Sequence, residues 1–140
     1  MRAVSDCHLP EWHVAFTDDA NPGFIRRLLK PGFRHVWAFT FDPKAGVWLV
    51  FDPSLNNIVL RAFRPKDFAP FIRKAVTEGP VIAVPVQTIP LRKARLFMTC
   101  VSQVAHLIGH DLFLATPYQL FCQLRRLGYS ERFAEPSLSE

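Results

Sequence analysis

Histidine and cysteine are the side chains best suited to proton transfer and covalent chemistry near neutral pH. The 140-residue chain has five histidines and three cysteines. His35 opens the apolar run Val36-Trp37-Ala38-Phe39-Thr40-Phe41, and Asp52 closes the run Val47-Trp48-Leu49-Val50-Phe51. The turn formers Asp42-Pro43-Lys44-Ala45-Gly46 separate the two. Two aromatic-rich runs around such a segment predict a β-hairpin. A loop at 42–45 would set His35 opposite Asp52, Trp37 opposite Val50 and Phe39 opposite Trp48, on one side of the sheet. An imidazole beside a carboxylate has two readings: a satisfied buried pair, or a histidine oriented for acid–base work.

A nucleophile for the second reading is Cys100. Val101, Val104, Ala105 and Ile108 recur at helical spacing, with Thr99 placed as N-cap and Gly109 as the residue after the helix. A thiol at a helix start meets the positive end of the helix dipole and unpaired N–H groups, which favour a thiolate. Cys100, His35 and Asp52 thus form a candidate triad of nucleophile, base and orienting carboxylate. Cys122, beside Leu120, Phe121 and Leu124, reads as core, and Cys7 as a thiol near the terminus. No CxxC spacing is present, so neither a zinc ribbon nor a redox pair is indicated. His106 and His110 are four apart, but the intervening residues lack the glutamate of HExxH. Cys7, His8 and His13 could ligate a metal, but a mobile N-terminus explains them as well, and His13 is a reserve base. Neither a metal nor another cofactor is expected.

The elements that must position these groups follow from the same reading. The hairpin is apolar on both faces and belongs in the middle of a sheet. Strands are predicted near 33–41, 46–52, 57–63 and 80–86, the last at an edge because of Pro85. Residues 12–17 alternate weakly and suggest a further short edge strand. Helices are predicted over about 22–29, over 65–77 between Pro65 and Gly79-Pro80, and from Cys100 to Ile108, just before Gly109. A last helix follows the capping box Thr116-Pro117-Tyr118-Gln119 and stops at Gly128. The fold class is therefore α+β: a central antiparallel sheet with the cysteine helix packed on one face. Residues 1–140 read as a single domain with its core at about 12–128.

Apolar residues make up 49% of the chain and charged ones 21%, which excludes an intrinsically disordered composition. No run approaches the roughly 18 apolar residues of a membrane span. Asp6, His8 and Glu11 interrupt any secretory leader, so cytoplasmic synthesis is expected. The net charge of +5 could serve an anionic partner, but no nucleic-acid motif accompanies it, and solvated surface charge is the expectation.

The segments His35-Val36-Trp37 and Gly46-Val47-Trp48-Leu49-Val50-Phe51-Asp52-Pro53-Ser54 resemble the His–Asp hairpin of transglutaminase-like and arylamine acetyltransferase-like papain folds. There the cysteine helix precedes the hairpin, whereas Cys100 follows it. That order resembles the circularly permuted NlpC/P60-type papain-like proteins. The stretch from Thr99 to Gly109, followed by Thr116-Pro117-Tyr118-Gln119-Leu120, is also similar to small cysteine-peptidase-like proteins of phages and prophages. The resemblance spans about residues 30–128. It implies a papain-like domain hydrolysing an amide, or transferring an acyl group, on a peptide or peptidoglycan stem. Its alternative implication is a non-catalytic virion or tail component, with other phage structural proteins as partners.

Overall fold

The computed structural model describes residues 11–18, 27–53, 57–85, 99–110 and 116–131. Five strands make one antiparallel sheet: β1 (Glu11–Thr17), β2 (His35–Asp42), β3 (Val47–Pro53), β4 (Ile58–Phe63) and β5 (Val81–Pro85), in spatial order β4-β3-β2-β1-β5. Three helices accompany them among the described residues: α1 (Pro65–Glu78), α2 (Cys100–Leu107) and α3 (Pro117–Arg126). The α+β expectation holds. Of the helix expected over 22–29, residues 22–26 lie outside the described residues, as do Cys7 and His8.

The sheet is covered on both faces, which explains why its strands lack clean polar alternation. On one face Val14, Phe16, Val36 and Ala38 pack with Val101, Val104 and Ala105 of α2 and with Leu120 and Leu124 of α3. On the other, Trp37, Phe39, Trp48 and Val50 pack with Phe68, Ile72 and Ala75 of α1. Ten-ångström-scale layers of this kind bury a large apolar area, each fully buried Leu or Phe contributing roughly 1.5–3 kcal/mol.

Two expectations need correction. β1 is not an edge strand: it lies between β2 and β5, and β5 takes the edge. Its alternation is weak because Val14, Ala15 and Phe16 are all fully buried, one face against each layer. The hairpin register also differs by two residues. Phe39 pairs with Val50 and Phe41 with Trp48, so the loop is 43–46. Asp42 stays in the strand because its carboxylate accepts the Lys44 and Ala45 N–H groups. Gly46, at φ +66°, donates its N–H to the Asp42 carbonyl and closes the loop. A shift of two keeps every side chain on its face.

Both short helices are fixed by their ends. In α2 the Thr99 hydroxyl accepts the Ser102 N–H while the Ser102 hydroxyl accepts the Thr99 N–H, a reciprocal cap. At its far end Gly109, at φ +82°, and His110 donate back to His106 and Ala105. Thr116 with Gln119, then Gly128 and Tyr129, repeat the pattern in α3.

Candidate active site

His35 is the first residue of β2 and Asp52 the next to last of β3, so both stand at the same end of the sheet. Given the observed register, Asp52 lies level with Trp37 and reaches His35 along the diagonal, which remains within side-chain range. Asp52 Oδ1 is 2.6 Å from His35 Nε2. The imidazole is 11% exposed and the carboxylate 44%, so the pair has a dry end and a wet end.

Cys100 begins α2 at that same end, partly buried, where its thiol hydrogen bonds to the His35 ring. Burial by itself would push the His35 pKa down. The hydrogen bonds to Asp52 and Cys100, together with their charges, outweigh it and raise the value to about 9. With a value near 9 the ring is an imidazolium at neutral pH. The cap made by Thr99 and Ser102 fixes where α2 starts, and with it the position of the sulfur.

Regular pairing ends here. Thr17 is the ladder partner of His35, yet its carbonyl accepts the N–H of Arg34, the residue just before β2, so two successive residues address one of β1. Such an irregularity re-aims a strand-end side chain. Arg34 itself is tied to Asp18 at 2.9 Å, and Asp18 also accepts the Gly32 N–H. Two further polar atoms belong to these elements: the Thr17 hydroxyl and Gln103 Oε1 are buried with no partner among the described residues. No sequence motif marks either residue. Thr17 is recognisable only once β1 is known to lie beside β2.

The other candidate groups are placed apart from this cluster. His13 lies toward the opposite end of β1, 3.4 Å from Glu11 and stacked on Phe39, where burial lowers its pKa. It does not join Cys100. His106 is exposed, whereas His110 packs edge-on against Tyr129. Cys122 is partly buried in α3. Among the described residues no three of the His, Cys, Asp and Glu side chains cluster as metal ligands would. No described helix is long and apolar enough to cross a membrane. The chain matches no family model, no curated protein and no solved structure.

Proposed function

We propose that the chain is a cysteine-dependent hydrolase or acyl transferase that cleaves an amide in a peptide or peptidoglycan stem. It would use Cys100 as nucleophile, His35 as acid and base, and Asp52 as the orienting carboxylate. The observation that carries this reading is the His35 ring held between the Cys100 thiol and the Asp52 carboxylate, at the start of a capped helix. The order of the chain, hairpin first and cysteine helix second, is the one that the resemblance to permuted papain-like proteins implies.

The chemistry balances without a cofactor. The Cys100 sulfur, its proton resting on His35, attacks the carbonyl carbon and forms the C–S bond. Charge gathers on the carbonyl oxygen, and the Cys100 backbone N–H, which has no intrahelical acceptor at this position, can donate to it. As the C–N bond breaks, His35 gives its proton to the leaving amine. A water, or an acceptor amine in a transferase, then loses a proton to His35 and takes the acyl group as the C–S bond breaks, restoring the thiolate–imidazolium pair. Asp52 keeps Nε2–H directed at itself, so that Nδ1 serves the sulfur throughout.

The test is capture of the thioester. Incubation with a stem-type peptide or a peptide thioester, followed by rapid acid quench and mass spectrometry, is expected to add one acyl group at Cys100. Cys100→Ser and His35→Ala should abolish the adduct. No adduct at Cys100 with any peptide or stem substrate would overturn catalysis and leave a papain-like fold in a structural role, as in a virion component.

A further inference from the structure

β4 is the outermost strand on its side of the sheet, so every second residue turns its N–H and C=O away from β3. Exposed edges of this kind are normally covered, shortened or blunted by charge. This one is only half blunted. Ile58, Leu60 and Ala62 share one face, opposite Pro53, Phe51 and Leu49 of β3. Ile58 is 55% exposed and Leu60 68%, so the apolar strip that begins on β3 continues uncovered to the edge. The other face of the strand carries Arg61, exposed and with no carboxylate partner among the described residues. Arg64, just beyond the strand, has a long contact of 3.9 Å to Asp67 and is 75% exposed.

We propose that the outer edge of β4 is a docking strand for an extended peptide segment that alternates apolar and acidic side chains. A segment adding to the edge would satisfy the outward backbone groups, and its side chains would project alternately to the two faces. One set would then rest on Ile58 and Leu60 while the next met Arg61. The apolar strip supplies contact area, and the exposed Arg61 cation selects the acid. A second copy of the chain fits less well. Antiparallel pairing of two β4 edges centred on Arg61 opposes like charges, which is destabilising, and pairing centred on Leu60 sets Arg61 opposite Val59 with no acid to meet. The proposal is independent of any reaction at Cys100.

The experiment is fluorescence anisotropy on the full chain with two labelled octapeptides, one alternating Leu with Glu and one alternating Leu with Lys. The Leu–Glu peptide should bind the tighter of the two. Arg61→Glu should invert the order, each change being about threefold, as expected for an exposed ion pair. Leu60→Ser should weaken both peptides by roughly tenfold, the worth of one newly buried leucine. Methylating alternate backbone nitrogens of the Leu–Glu peptide should abolish binding in one of the two possible phases only. The proposal is overturned if the two peptides bind alike, if neither binds, or if Arg61→Glu leaves the order unchanged. It is equally overturned if the chain forms a dimer that Leu60→Ser dissolves, because the edge would then belong to a second copy. Leu60 and Arg61 are both exposed, so circular dichroism of the variants should match the parent and keep the reading clean.

Discussion

Replacing Asp52 by Asn keeps the shape and one acceptor oxygen but removes the charge that faces His35. In the parent the ring has a pKa of about 9 against 6.5 for an ordinary histidine. Because the folded value lies above the unfolded one, the protonated ring contributes stability. That contribution is complete below about pH 6.5 and is lost as pH rises through about 9. The full difference corresponds to about 3 kcal/mol. Asp52 is 44% exposed, so water screens its share, and a realised contribution of about 1–2 kcal/mol is the better expectation. Histidine Cε1–H signals followed by NMR across pH 5–10 should show His35 titrating near 9 in the parent. In Asp52→Asn the midpoint should fall by at least one pH unit. Urea unfolding at pH 6 and pH 9.5 should show the parent losing more stability between the two than the variant does. A His35 midpoint at or below 6.5 in the parent, or one unmoved by Asp52→Asn, would refute the reasoning.

Gly79→Ala should destabilise the protein by about 2 kcal/mol or more, because a Cβ there would fall 1.9 Å from the Phe16 carbonyl oxygen. Its φ of −177° is open to any residue, so close approach rather than backbone strain makes this glycine necessary; an unchanged melting temperature would contradict that. Thr99→Ala should cost about 1 kcal/mol through loss of the α2 cap, while Thr99→Ser should retain most of it. Equal melting temperatures for the two variants would show that the cap does not hold the start of α2.

Local chemistry was readable where a single residue type leaves few options. Pro65 at the start of α1, Thr99 and Gly109 around α2, and Thr116 with Gly128 around α3 all stand where capping and left-handed conformation require them. The pairing of His35 with Asp52 was also readable, although the register behind it was not. Asp42 could equally end the strand or begin the loop, and only its hydrogen bonds to Lys44 and Ala45 decide for the strand. Side-chain parity survives a shift of two, so the right pair emerged from a displaced ladder. The place of β1 was not legible, because a strand buried on both faces looks like an indifferent alternation, and its neighbour β5 lies more than sixty residues away in the chain. Thr17 beside His35 was hidden for the same reason.

Alkylation of the cysteines tests the central claim most directly. With limiting iodoacetamide at pH 7 and peptide mass spectrometry, Cys100 should react fastest, ahead of Cys7 and Cys122. Rate follows thiolate fraction, which a neighbouring imidazolium raises in general, and His35 is the imidazolium beside Cys100. His35→Ala should slow Cys100 by an order of magnitude while leaving Cys7 unchanged, and Asp52→Asn should slow it less. Cys100 left unmodified while Cys7 is fully labelled, with His35→Ala changing nothing, would contradict a catalytic Cys100–His35 pair.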